Sequence, residues 1–173
     1  MEVKIDRIHD MELDSFLDIL RSIANWLVSN GNDMWSLEGL QREAFLEANP
    51  GAELYICRNG SDPIGAFMLK DENRFWWPEI DGDDTFFLKK FGISEGYRGT
   101  GASARVMDQI KALAKERNKK FIRIEFYGDR AYLRRFYEAN GFEFVRQRVM
   151  PDGIEILLYE YRIVLRVSPQ MGL

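Results

Sequence analysis

An apolar run from Phe86 to Ile93 ends at Tyr97-Arg98-Gly99-Thr100-Gly101-Ala102-Ser103, and a helical pattern follows from Ala104 to Arg117. A strand that breaks into a glycine-containing turn and then opens a helix brings backbone N–H groups together. The helix N-terminus adds partial positive charge at the same place. Arg98 supplies a fixed cation with several donors, suited to phosphate oxygens. The segment therefore suits a phosphorylated ligand, and a pyrophosphate in particular. A tight connection with no ligand is the alternative that such a turn allows, so the surrounding chain has to decide.

Around this segment the periodicities lay out an ordered series of elements. Val3-Lys4-Ile5 with Ile8 reads as a short first strand. From Asp10, the residues Leu13, Phe16, Leu17, Leu20, Ile23, Ala24 and Leu27 recur at three- and four-residue steps, the spacing of an amphipathic helix. Asn30-Gly31 ends it. Ser36 is placed to cap a second helix, Leu37 to Ala48, which Asn49-Pro50-Gly51 stops. Leu54 to Cys57 and Ile64 to Leu69 flank Asn59-Gly60-Ser61-Asp62-Pro63 as the strands of a hairpin. Asp71 to Thr85 is polar and rich in turn residues, yet carries Phe75, Trp76 and Trp77.

Beyond the glycine turn, Val106, Ile110, Leu113 and Ala114 share a helix face. Phe121 to Tyr127 alternates, with Ile122, Ile124 and Phe126 on one side and Arg123, Glu125 and Tyr127 on the other. A short helix with Leu133, Phe136 and Tyr137 on one side closes at Asn140-Gly141. Two last strands, Phe142 to Val149 and Ile154 to Val164, join at Pro151-Asp152-Gly153. The order β-α-α-β-β-β-α-β-α-β-β predicts an α/β (α+β) mixed sheet flanked by helices, in one domain over residues 1–173.

Composition removes several function classes. The chain is 46% apolar and 30% charged, as in an ordinary folded protein. A net charge of −4 argues against a nucleic-acid binder, whose footprint is basic. The single Cys57 allows no internal disulfide and no cysteine-rich zinc site, and the single His9 excludes a multi-histidine metal site. No apolar run approaches a membrane span, and Met1 is followed by charges rather than a signal peptide. The expectation is a cytoplasmic protein without a metal, a membrane or a nucleic acid among its partners.

A second signature lies downstream, in Arg134-Arg135-Phe136-Tyr137-Glu138-Ala139-Asn140-Gly141-Phe142. With Arg98-x-x-Gly101-x-Ser103 before it, and a helix and a strand between, the chain resembles the GNAT superfamily of acetyl-CoA-dependent acyltransferases. It is similar to a bacterial branch with Trp26 and Trp35 in the first helices and a Trp77-Pro78 element before the central strand. The resemblance implies a mostly antiparallel sheet of about seven strands flanked by about four helices. The acceptor side would be built by helices at about 10–48, and the acetyl-CoA core by about 86–142. Three positions depart from the family's pattern: Ser103 stands for Gly or Ala, Arg130 for Asn, and Lys89 for His.

The resemblance also assigns roles. Backbone groups of Phe91, Gly92 and Ile93 would bind the pantetheine arm, and Arg98, Gly99, Thr100, Gly101, Ala102 and Ser103 the pyrophosphate, with Arg130 near the arm. Tyr137 stands at the family's general-acid position. An amine acceptor must lose a proton before it attacks, and Glu125 is the first candidate to take it, Glu79 the second. Trp26, Trp35, Trp76 and Trp77 would line the acceptor side, where aromatic walls suit an apolar or cationic substrate. The expected activity is N-acetylation of a small-molecule amine by direct attack in a ternary complex, and a homodimer is compatible with it. Two alternatives are a protein or peptide N-acetyltransferase and a non-catalytic CoA-binding module.

Overall fold

A computed structural model describes residues 1–164. Its centre is a seven-stranded sheet in the order β1-β2-β3-β4-β5-β7-β6. The strands are β1 (Val3–Arg7), β2 (Glu53–Asn59), β3 (Asp62–Lys70), β4 (Thr85–Ile93), β5 (Phe121–Tyr127), β6 (Glu143–Val149) and β7 (Glu155–Arg162). Every neighbouring pair is antiparallel except β4 and β5. Four helices flank the sheet: α1 (Leu13–Ser29), α2 (Arg42–Ala48), α3 (Ala102–Glu116) and α4 (Ala131–Ala139). The element order predicts this mixed sheet flanked by helices, and the family resemblance implies its mostly antiparallel pairing.

Strand alternation sorts the core into layers. Tyr55, Cys57, Phe67 and Leu88 point to the face covered by α3, whose Val106, Met107 and Ile110 are fully buried there. Ile56, Ala66 and Met68 point the other way, under Phe16, Leu17 and Leu20 of α1. Each fully buried Leu, Ile, Phe or Met among them contributes about 1.5–3 kcal/mol. The second face continues over Phe87, Ile156 and Leu158, where Trp77 rather than a helix supplies the cover. No helix among the described residues is long and apolar enough to cross a membrane.

Two local results differ from the periodicity. The expected helix Leu37 to Ala48 is broken at Gln41, which is extended at φ −73° and ψ 145°. A single 3-10 turn, Glu38–Leu40, precedes the break, and Ser36 Oγ accepts the N–H of Gly39 at 3.0 Å to cap that turn. The polar side of β5 is also not a solvated face. Arg123 is buried against Trp77 and Phe121, and its Nε donates to Glu160 at 3.1 Å.

The feature that shapes the site is how briefly β4 and β5 stay together. They pair only at Thr85↔Phe121, Phe86↔Ile122 and Phe87↔Arg123. Farther along, β4 carries a bulge against β3, where the register shifts between Ala66↔Gly92 and Met68↔Lys89. Lys90 sits within it at φ +53°. A bulge bends its strand, and past Phe87 the two strands share no further pairs, which leaves a slot through the sheet.

Candidate active site

Two cavities meet at that slot. One, of about 160 Å³, runs between α1, the end of β4 and α4, and reaches Arg98 and Ser103. The other, of about 220 Å³, lies between β4 and β5 and reaches Lys89, Lys90 and Glu125. Met34, Trp35, Phe91, Leu133 and Tyr137 line both.

The far end of the first cavity is the glycine turn. Gly101 caps α3 at φ +82°, and the space where its side chain would stand is open. The Arg98 N–H bonds Glu95 O at 3.1 Å, and the Ala102 N–H reaches Thr100 Oγ1 at 3.3 Å. Among the described residues this leaves the amides of Gly99, Thr100, Gly101 and Ser103 uncommitted at a helix N-terminus, the arrangement that receives an anion. The Thr100 hydroxyl itself is committed to Tyr97 O, and the Ala102 side chain is buried, so both hold the loop rather than face a ligand. The guanidinium of Arg98 lies 3.5 Å from the ring centroid of Trp26.

Gly92 marks the middle of the passage. A Cβ there would come within 3.0 Å of Trp35 and 3.1 Å of Ile23, so any other residue would make those side chains give way where they close over the strand. Above it, the Asp33-Met34-Trp35 stretch forms a roof tied to α4. Arg130 Nη2 donates to Asp33 O at 2.8 Å, and the Tyr132 hydroxyl lies 3.9 Å from Met34 Sδ.

Tyr137 stands at the confluence. Its ring packs against Phe126, Phe136 and Phe142 with centroids 5.2 to 5.4 Å away. Tyr55, Tyr97 and Tyr159 give their hydroxyls to carboxylates, whereas Tyr137 has no such partner among the described residues and borders both cavities. Burial, with the charge of Glu125 and the neighbour Tyr132 behind it, pushes its phenol well above the usual tyrosine range. The hydroxyl therefore keeps its proton at neutral pH.

The floor of the second cavity holds a paired carboxylate. Glu125 accepts from the Lys89 ammonium, from Asn73 Nδ2 at 3.2 and 3.3 Å, and from Trp77 Nε1 at 3.4 Å. Lys90 lines the same cavity, with its ammonium 5.7 Å from the Trp35 ring. Trp76 closes one side, stacked edge-on with Phe75 and covered by Arg148.

The structure thus gathers Phe91, Gly92, Ile93, Arg98, Ser103 and Tyr137 along one passage, and Trp35, Trp76, Glu125 and Tyr137 around the other. It draws four residues away from their expected places. Trp77 is 1% exposed and packs under the site with Phe87 and Leu158. Trp26 supports Arg98 instead of lining the acceptor side. Glu79 pairs with Arg146 at the surface, and that hydrogen bond holds its carboxyl below the usual range. Arg130 turns to Asp33 and Asp129 and lines neither cavity. Asn73, Lys90 and Met34 join the site unanticipated. Two adjacent lysines inside an otherwise apolar strand were the available signal for Lys90.

Among the described residues no group of three or more His, Cys, Asp or Glu side chains could hold a metal ion. The uncommitted amides at one end and the slot without strand partners along β4 fit a long phosphorylated thioester such as acetyl-CoA.

Comparison with known proteins agrees with this geometry. The model of the Acetyltransferase (GNAT) family matches residues 20–142. The chain is 24% identical over 140 residues to the uncharacterized N-acetyltransferase YesJ of Bacillus subtilis (strain 168), covering 78% of each protein. A GNAT-family acetyltransferase of Listeria monocytogenes 4b F2365 shares the fold at a TM-score of 0.73 and 18% identity, covering 94% of this chain and 95% of that one. The protein yncA of Salmonella typhimurium, solved with acetyl-CoA as its cofactor, superimposes at a TM-score of 0.67 and 14% identity over 99% of this chain and 100% of that one. This chain belongs to the GNAT family of acetyltransferases, a family that uses acetyl-CoA as its acyl donor.

Proposed function

We propose that the protein transfers the acetyl group of acetyl-CoA to the primary amine of a small molecule, by direct attack in a ternary complex. The observation that carries this reading is the confluence of a donor-shaped passage and a separate roofed cavity at Tyr137. When bound, acetyl-CoA supplies an acyl carbon already activated as a thioester. The backbone of Phe91 to Ile93, left without partners on β5, holds the arm like an added strand, and a free N–H there polarises the carbonyl. Such a donor contributes about 2.7–4 kcal/mol in comparable sites.

Tyr137 points its proton at the sulfur that departs. A free thiol titrates near about 8.5, well below this phenol, so Tyr137 stabilises the leaving sulfur mainly as a hydrogen-bond donor. Glu125 is the one carboxylate on the cavity wall among the described residues, and it takes the amine's proton directly or through water. Lys89 fixes its position. Cys57 does not relay the acetyl group: it is fully buried, lines neither cavity, and burial pushes its thiol far up. The roof of Met34 and Trp35 favours a compact acceptor over an extended peptide, and a cytoplasmic setting supplies the donor.

The test is acetyl-CoA-dependent thiol release over amines, aminoglycosides, polyamines, amino acids and peptides. Turnover with one or more compact amines and not with peptides is expected. Turnover confined to peptides, or coenzyme A binding with no turnover at all, would overturn the reading.

A further inference from the structure

We propose that Lys90 anchors an anionic group of the acceptor, so that the amine acetylated here also carries a carboxylate, as an amino acid does. This rests on the small-molecule reading above and names its substrate class.

Three observations lead to it. The first is placement. Adjacent residues of a regular strand face opposite ways, and Met68↔Lys89 pairing puts Lys89 on the face shared with α1. The bulge and the φ of +53° at Lys90 bring the next side chain to the wall of the same cavity. A left-handed lysine is an uncommon choice, and Asn or Gly would suit that backbone better. The residue type therefore answers to something other than the turn.

The second is charge. Lys89, Lys90 and Glu125 are the charged residues lining the cavity, and Lys89 with Glu125 already form a pair. Lys90 is half-buried, sits beside another ammonium and makes no ion pair among the described residues; the Trp35 ring at 5.7 Å is its compensation. A cation withdrawn from water without a counter-charge is unfavourable. Burial, and then Lys89, lower its pKa to about 8, which still leaves it mostly charged at neutral pH. A bound carboxylate removes this penalty, whereas a polyamine adds to it.

The third is separation from the donor. Arg98, Ser103 and the open amides that suit phosphates belong to the other cavity, which Lys90 does not line. Its anion is therefore the acceptor's.

Matched pairs test the assignment: L-leucine against isopentylamine, L-phenylalanine against 2-phenylethylamine, with spermidine as a polycation. Specificity constants are measured for the wild type, Lys90→Asn and Lys90→Glu, Asn being chosen because it accepts the left-handed backbone. Calorimetric binding of the same compounds, with coenzyme A present, reads the selection where no acetyl is transferred. In the wild type each acid should exceed its decarboxylated partner about 10- to 100-fold, the worth of one charge-assisted contact. Lys90→Asn should bring the ratio close to one, and Lys90→Glu should invert it. Wild-type preference for the decarboxylated amines, or one ratio shared by wild type and Lys90→Asn, would overturn the proposal. Loss of turnover with every compound would instead count against the acetyltransfer reading, while the binding ratios still decide Lys90.

Discussion

Replacing Glu125 by Gln removes one charge from the cavity floor and almost nothing of its shape. In the native structure the Glu125 side chain is 8% exposed and that of Lys89 22%. The carboxylate also receives Asn73 at 3.2 and 3.3 Å and Trp77 at 3.4 Å. Gln keeps one acceptor oxygen but sets an NH2 group where the second oxygen stood, facing donors. Removing one partner of a buried pair costs about 3–5 kcal/mol. Lys89 retains some water, which brings the loss to just below that scale, about 2–3 kcal/mol. For a chain of this length that lowers the melting temperature by roughly 4–12 °C. Lys89→Met in the Glu125→Gln background removes the stranded charge, so the double variant should lose at least about 1 kcal/mol less than the two singles together. Denaturant unfolding followed by circular dichroism gives all four corners of the cycle. The same Glu125→Gln protein, assayed well below its melting point, should lose about 100-fold or more in kcat if Glu125 takes the amine's proton. A stability within about 0.5 kcal/mol of wild type together with an additive cycle would refute the ion pair as the organiser of this floor.

Lys90→Asn also has a pH signature. The native lysine titrates at about 8, because of burial and then Lys89, against 10.5 for the free group, so the unfolded chain holds more protons across that window and wild-type stability rises with pH from about 8 toward 10.5. Unfolding series at pH 7, 8, 9 and 10 should show that rise missing from Lys90→Asn; equal slopes would contradict the burial of the ammonium. Arg98→Ala removes the cation at the glycine turn and should weaken coenzyme A binding by about 10- to 100-fold in calorimetry. Phosphate-free analogues such as pantetheine should bind both proteins alike, and unchanged coenzyme A affinity would remove Arg98 from the anion site.

The layers of this protein are legible in its sequence where periodicity and burial agree. The stripe Leu13, Phe16, Leu17, Leu20, Ile23, Ala24 and Leu27 is the buried face of α1, residue for residue. The strand, glycine turn and helix from Phe86 onward occur in the order the pattern requires. What could not be read is set by long-range geometry. That β4 and β5 part after three pairs depends on a bulge at Lys90, and nothing in a lysine announces a positive φ. The partners of Glu125 come from 52, 48 and 36 positions away, so its alternation in β5 revealed a polar side but not that the side is filled. Trp76 and Trp77 both pack on the cluster of Phe87, Ile156 and Leu158, Trp77 fully buried and Trp76 partly. Which of them reaches the cavity was decided by the packing of Phe87 and Leu158 around Trp77.

The central claim is that acetyl transfer takes place where the two cavities meet, at the Tyr137 hydroxyl. Tyr137→Phe removes that oxygen alone and keeps the ring contacts with Phe126, Phe136 and Phe142. The decisive measurement is kcat at saturating substrates beside the calorimetric affinity for acetyl-CoA. Loss of the hydrogen bond to the departing sulfur should lower kcat about 100-fold while the affinity stays within about threefold. An unchanged kcat in a folded, acetyl-CoA-binding Tyr137→Phe protein would contradict the account.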